Sequence, residues 1–106
     1  MLRIALAQIN PTVGDLQGNA QRVIESVEEA QRCCADLVVF PELIISGYPP
    51  EDLLLKRHFL VDCRHALDVV ATASLETVAV VGFPEHEAGR VYNAAAVLAR
   101  GRVHDV

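Results

Sequence analysis

Several signals that would identify a function directly are missing from this sequence of 106 residues. Its three cysteines, Cys33, Cys34 and Cys63, form no CxxC and no paired spacing. This argues against a disulfide framework and a zinc knuckle, and favours reduced, packed thiols. The nine basic residues are scattered and the net charge is -5, so nucleic acid and anionic membranes are not expected partners. Neither GxGxxG nor GxxxxGK[ST] occurs, so no loop of these kinds is expected to cradle a nucleotide phosphate.

Long apolar runs are also missing. Apolar runs such as residues 37–40 and 78–81 are far too short to cross a bilayer. Met1 leads directly into a strand-like segment without a signal-peptide pattern, and we expect no membrane partner and a cytoplasmic location. The composition, 52% hydrophobic and 22% charged, is typical of one globular unit. A chain of this size could nevertheless be a piece of a larger sheet, because it has difficulty covering both faces of one.

Strand and helix patterns alternate along the first part of the chain. Residues 2–9 (LRIALAQI) predict a strand that is apolar on both faces, as in a strand covered on two sides. From Leu16 to about residue 35, apolar positions that include Cys34 recur at a helical period, and either Asp15 or Asn19 could cap the start of this helix. Residues 37–40 (LVVF) predict a second strand. Such a βαβ unit favours parallel strand pairing.

The same alternation continues beyond the turn at residues 47–50. Pro50 fits the first turn of a short helix, and a second amphipathic helix follows, with an apolar stripe that runs to about residue 73. Residues 78–83 and 91–99 predict two more strands, and residues 100–101 a turn into a fifth. We therefore predict an α/β fold: one mixed sheet of about four strands or slightly more, with the helices on one face.

Glu42 is the first candidate for chemistry. It stands two residues past the second predicted strand, where open α/β sheets collect ligand-binding and catalytic groups. A carboxylate that is partly removed from water at such a place holds a proton more tightly, which suits a general base at neutral pH. By position alone, an acid that caps the next helix or faces water is an equally good interpretation.

The residues around Glu42 resemble a known family. The run LVVFPELIISGYPPEDLLLK at residues 37–56 resembles the sequence around the catalytic glutamate of nitrilase-superfamily amidases. Its GYPPEDLL part resembles the glutaminase domains of glutamine-dependent NAD+ synthetases, as do the opening LRIALAQINPTVGDLQGNAQRV and the later GFPEHEAGRVYNAAAVLARGRV. The resemblance covers essentially the whole chain. It implies a partial nitrilase-type α-β-β-α sandwich, in which the family's second sheet is absent and alternate residues of 2–9 and 78–83 are exposed.

The resemblance also implies a mechanism. Such enzymes use a Glu-Lys-Cys triad: glutamate takes the thiol proton, cysteine attacks the carboxamide of glutamine, and lysine stabilises the oxyanion. Only Glu42 maps onto this chain. Residues 1–106 are therefore expected to be the N-terminal part of a carbon-nitrogen hydrolase (glutaminase) domain, truncated before the catalytic lysine and cysteine and inactive alone.

The parent enzyme implied by the resemblance passes ammonia to a C-terminal synthetase domain. That domain uses ATP and Mg to amidate nicotinic acid adenine dinucleotide to NAD+, and the parent is expected to be a homo-oligomer. No cofactor and no metal are expected in residues 1–106. Two alternatives stay open: a piece of a stand-alone amidase of the same superfamily, and a non-catalytic α/β binding module.

Two further polar residues are candidates for a role in chemistry. By resemblance, Tyr48 lines the glutamine pocket or the ammonia exit, but packing over the turn with its hydroxyl in water is an equally good interpretation. Asn93 is a polar group inside an apolar strand and needs partners if it is buried. We favour a structural hydrogen bond over a substrate contact for Asn93.

The second helix carries the remaining candidates. Lys56, the sole lysine, is expected to be exposed rather than catalytic. His58, Asp62 and His65 have the i, i+4, i+7 spacing that places them on one helix face. A solvated polar face is favoured over a metal site there, because this face lies away from the apolar stripe.

Overall fold

A computed structural model describes all residues from 1 to 106. Strands and helices alternate as the sequence predicts, up to a pair of final hairpins. In chain order the elements are β1 (Ile4–Leu6), α1 (Leu16–Arg32), β2 (Leu37–Val39), a 3-10 helix (Glu51–Leu55), α2 (Arg57–Ala71), β3 (Val78–Glu87), β4 (Arg90–Ala99) and β5 (Arg102–Asp105). No helix combines the length and the apolar character needed to cross a bilayer.

The five strands form one mixed sheet in the order β1-β2-β3-β4-β5. β1 pairs with β2 and β2 with β3 in parallel, whereas β3, β4 and β5 pair as antiparallel hairpins. The predicted βαβ unit and the mixed sheet are confirmed. Because β2 lies between β1 and β3 and is parallel to both, its carboxyl end opens at the edge of the sheet where ligand sites form in α/β folds.

Both helices pack on one face of this sheet. The apolar stripes of α1 and α2 and every second residue of the strands belong to one hydrophobic cluster, because strand side chains alternate between the two faces. The fully buried large residues of this cluster include Val23, Val27, Val38, Leu67, Val70, Val81, Phe83 and Leu98. Burying a side chain of this size contributes about 1.5–3 kcal/mol each, so this face holds the fold together.

The opposite face of the sheet is open at β1. Leu2, Ile4 and Leu6 are 53–71% exposed. The expectation of a first strand covered on two sides is therefore wrong within these residues, since both helices pack on the other face. The expected exposure of alternate residues is confirmed at β1. Val78 and Val80 on β3 are only half-exposed, because neighbouring strands flank them on both sides.

The three cysteines have two different environments. Cys63 lies on the apolar stripe of α2 and is fully buried, as predicted, and burial raises the pKa of its thiol to about 12, with a smaller contribution from Asp62. Cys33 and Cys34 are exposed, so the prediction that they pack is wrong. The helix ends at Arg32, and Cys34 takes a left-handed backbone conformation (φ 59) that removes it from the apolar stripe.

Candidate active site

The chain leaves β2 by a turn that lifts Glu42 away from the sheet. The backbone N–H of Phe40 donates to Val80 (3.0 Å) and that of Ile45 donates to Gly82 (3.3 Å). Only Val81 lies between these two acceptors on β3, whereas residues 41–44 lie between the two donors. Residues 41–44 therefore loop out of the strand. Leu43, directly after Glu42, has φ 50, a conformation that is uncommon for a bulky residue and is concentrated at functional sites.

Gly82 allows this turn to lie against β3. A Cβ atom at this position would be 2.6 Å from the Leu43 nitrogen and 3.0 Å from the Pro41 oxygen. Because Val81 and Phe83 point toward the helices, Gly82 faces the open side, and residues 41–43 cross the sheet there. Gly82 was not among the residues singled out from the sequence, although a glycine inside a strand pattern is a signal of close backbone approach.

Asn93 holds the side chain of Glu42. Its Nδ2 donates a hydrogen bond to Oε1 of Glu42. On β4, Asn93 lies opposite Pro84 and two residues from Ala95, which lies opposite Gly82, so the amide and the turn share the open face. The hydrogen bond expected for Asn93 is present, with the candidate base as its partner. Both residues are exposed, so the expected partial removal of Glu42 from water is not met within these residues.

Asn19 joins the turn to the preceding loop. Its side chain is 1% exposed and makes three hydrogen bonds: Oδ1 accepts from the Thr12 N–H (2.8 Å), and Nδ2 donates to the carbonyls of Thr12 (2.8 Å) and Ile45 (3.0 Å). Asp15 is the residue that caps α1, by accepting from the Gly18 N–H at 3.1 Å. Asn19 therefore fixes the loops that follow β1 and β2 relative to each other. Only its place near the helix start was visible in the sequence.

The other sequence candidates make no hydrogen bond and no ion pair with Glu42. Tyr48 is 61% exposed at the end of the turn and makes no hydrogen bond within the chain. Lys56 is exposed at the start of α2, as predicted. His58 Nε2 lies 3.2 Å from Asp62 Oδ2, and no three His, Cys, Asp or Glu side chains are grouped as a metal site would need.

None of the cysteines can serve as a nucleophile for Glu42. Cys63 is buried on the helix side. Cys33 lies at the far end of α1, where its carbonyl accepts from the side chain of Arg3, just before β1. This is the amino edge of the parallel strands, opposite to the edge where Glu42 emerges. Any thiol that Glu42 serves must therefore come from elsewhere.

The structure thus presents a glutamate at the carboxyl end of β2. One family model, described as carbon-nitrogen hydrolase, matches the chain over residues 3–103. The chain belongs to this family. It is 52% identical over 103 residues to the glutamine-dependent NAD(+) synthetase of Xanthomonas campestris and 44% identical over 105 residues to that of Aquifex aeolicus. These matches cover 96% and 97% of this chain but only 19% and 18% of the relatives, so the chain spans about a fifth of their length.

Solved structures agree with this assignment. A glutamine-dependent NAD(+) synthetase from Cytophaga hutchinsonii matches with a TM-score of 0.92 and 28% identity, over 96% of this chain and 18% of that one. An amidase from Nesterenkonia sp. matches with a TM-score of 0.80 and 23% identity, over 96% of this chain and 40% of that one. The amidase shows the shared fold alone. The resemblance to the NAD+ synthetases that the sequence indicated is confirmed.

Proposed function

We propose that Glu42 is the general base of a site that hydrolyses glutamine, and that this chain contributes the base while other parts of the protein contribute the nucleophile. One observation carries the proposal: the Glu42 carboxylate stands on the open face, bonded to a neutral amide and in no ion pair. A carboxylate that is fixed in an ion pair is a poor base, because the partner's positive charge favours its charged form. Glu85, by contrast, lies 3.3 Å from the guanidinium of Arg64.

The chemistry follows the family resemblance. Glu42 takes the proton of a cysteine thiol, and the thiolate attacks the side-chain carboxamide of glutamine to form a tetrahedral intermediate. Glu42 then passes that proton to the departing nitrogen, so the carbon-nitrogen bond breaks, ammonia leaves and a thioester remains. Water then releases glutamate from the thioester. A lysine stabilises the oxyanion, and both the lysine and the cysteine are proposed to lie outside residues 1–106. Tyr48 is proposed to line the glutamine pocket, since it is exposed on the segment that begins at Glu42.

The names of the relatives support a destination for the ammonia. In the proposed full-length protein, a synthetase domain uses ATP and Mg to amidate nicotinic acid adenine dinucleotide. We also propose a cytoplasmic location, where glutamine and ATP are available, and a homo-oligomeric assembly. The amidase likeness shows the fold alone, and no observation favours the stand-alone amidase over this proposal.

Glu42→Gln in the full-length product of the gene tests the proposal. Glutamine is nearly the same size but cannot accept the thiol proton, so glutamine hydrolysis should fall by about 10²- to 10⁴-fold. NAD+ formation supplied with ammonium salt in place of glutamine should continue, because added ammonia bypasses the hydrolysis step. Glutamate release and NAD+ formation from each nitrogen source are the measurements.

The matched control is Glu87→Gln, which changes an exposed carboxylate at the far end of β3. It should keep both activities. Glutamine hydrolysis by Glu42→Gln at the wild-type rate would refute the role of Glu42. NAD+ formation from neither nitrogen source by the wild-type protein would refute the synthetase assignment.

A further inference from the structure

We propose that Asn93 is a positioning residue for glutamine hydrolysis: its amide orients the Glu42 carboxylate so that one oxygen is held and the other faces the reacting thiol. The inference rests on the proposed function of Glu42. Asn93 acts through Glu42 and is not proposed to touch the substrate.

The geometry supports this role because the turn alone leaves the Glu42 side chain free. Backbone hydrogen bonds and the contact with Gly82 fix the main chain at residues 41–43, but none of them engages the carboxylate. The Asn93 amide is the only group in the chain that hydrogen-bonds the carboxylate, and it engages Oε1. Oε2 makes no hydrogen bond within the chain and stays available as the proton acceptor.

The chemistry of the donor supports it as well. An ionised carboxylate only accepts hydrogen bonds, so the Asn93 group that faces it must be the NH₂ group. An amide carries no net charge, so it can restrict the rotation of the carboxylate without the strong preference for the ionised form that arginine or lysine would impose. The same strand pair shows the contrast, since Glu85 is bound by the guanidinium of Arg64.

A purely structural role for Asn93 is less consistent with its contacts. The β3–β4 ladder runs continuously from Ala79–Leu98 to Glu87–Arg90, so the backbone of Asn93 is already held by strand pairing. Its side chain is exposed, and its hydrogen bond reaches across the sheet to a different segment of the chain, 51 residues away in sequence. The side chain therefore contributes to the location of Glu42 more than to the hairpin.

The test uses Asn93→Ala and the isosteric Asn93→Asp in the full-length protein, with glutamine hydrolysis measured over a range of pH. For Asn93→Ala we expect kcat to fall by about 10- to 100-fold, because a misplaced catalytic group costs rate. KM for glutamine should stay within about threefold of wild type, because substrate binding is not touched. For Asn93→Asp we expect kcat at neutral pH to fall relative to wild type at the same pH. This difference from wild type should shrink as the pH is lowered, because protonation of the new carboxyl restores a donor to Glu42. Ammonia-dependent NAD+ formation should be unchanged in both variants.

Arg90→Ala, an exposed position in no ion pair at the start of the same strand, is the control and should resemble wild type. A kcat of Asn93→Ala within about twofold of wild type would overturn the inference. So would a rise in KM alone, which would indicate a substrate contact, or a loss in Asn93→Asp that does not vary with pH. These results can be distinguished from a failure of the proposed function. The proposed role of Glu42 fails only if Glu42→Gln still hydrolyses glutamine at the wild-type rate. If Asn93→Ala is unstable, the isosteric Asn93→Asp decides the question by its pH dependence.

Discussion

The two faces of the sheet use the same strands for different purposes. Toward the helices, Val81 and Phe83 are completely buried in the hydrophobic cluster. Between them, Gly82 faces the open side, where it is covered only by the turn that carries Glu42. Neighbouring positions of one strand thus serve stability on one face and a candidate catalytic group on the other. Substitutions on the helix-covered face should therefore lower mainly stability, whereas substitutions at Gly82 should lower mainly activity.

The open face also differs in how its polar groups are held. On the helix side, the buried polar atoms have hydrogen-bond partners within the core, as Ser74 does with the carbonyl of Leu98 at 3.1 Å. On the open face, Glu42 and Asn93 bond each other while both stay exposed. A pair of this kind contributes little to stability because water competes for both groups. The proposed role of Asn93 in orienting Glu42 is consistent with this small contribution to stability.

The largest expected effect on stability comes from Phe83→Ala. Removing this fully buried ring from the helix-covered face should lower the free energy of unfolding by about 3–5 kcal/mol. The loss has two parts, because apolar burial is lost and a cavity remains in the core. Urea unfolding of the 106-residue chain, followed by circular dichroism, measures the loss.

Leu6→Ala is the matched control for Phe83→Ala, since Leu6 is 71% exposed on the open face of β1. We expect its effect on unfolding to stay within about 0.5 kcal/mol. Equal losses for the two variants would mean that the faces do not differ in stability as described.

A smaller loss of stability, but a large loss of activity, is expected for Gly82→Ala. The added methyl group collides with the backbone of residues 41–43, which is less able to move than a flexible side chain. Overpacking of this kind costs about 1–3 kcal/mol. The turn must shift to relieve it, so glutamine hydrolysis in the full-length protein should fall by about 100-fold, in line with the cost of moving a catalytic group by about 1 Å.

Gly89→Ala separates strain from displacement. Gly89 has φ 76 at the β3–β4 turn, and a Cβ there meets no atom within 4 Å. Alanine in this left-handed conformation costs about 1–2 kcal/mol, similar to the cost expected at Gly82. Hydrolysis should nevertheless be retained. If Gly89→Ala loses as much activity as Gly82→Ala, general destabilisation explains both variants and the contact with residues 41–43 does not.

The sequence is sufficient to predict the elements, and it indicates Glu42 as a candidate base and Asn93 as a polar group that needs a hydrogen-bond partner. Glu42 follows a recognisable buried strand, and Asn93 interrupts an apolar one, so both are visible in local patterns. Their pairing was not predictable, because it depends on the register of β4 against β3 and on the path of the turn. Both are set by contacts between residues far apart in the chain, which local periodicity does not report.

The features that local patterns left open or predicted wrongly have the same origin. Asn19 has the position of a possible helix cap, but its amide bonds Ile45, 26 residues away, while Asp15 takes the cap. Cys34 continues the helical period of α1, but the helix ends two residues before it. A periodic pattern gives the face that a residue would occupy if the helix continued. Whether the helix continues is decided by the C-cap geometry and by the next strand.

The smallest expected effect concerns the titration of Cys63 on the helix-covered side. Burial, and secondarily Asp62, raises the pKa of this thiol from its ordinary 9.0 to about 12. Above about pH 9 the unfolded chain loses this proton while the folded chain keeps it, so the folded state binds more protons. The contribution to stability is complete below pH 9 and is lost as the pH rises toward about 12. Cys63→Ala lowers stability at every pH through its cavity, but its unfolding free energy should fall less steeply between about pH 8.5 and 10.5 than that of the unmodified chain. Urea titrations at several pH values give both slopes, and parallel slopes would show that Cys63 is not shielded from water.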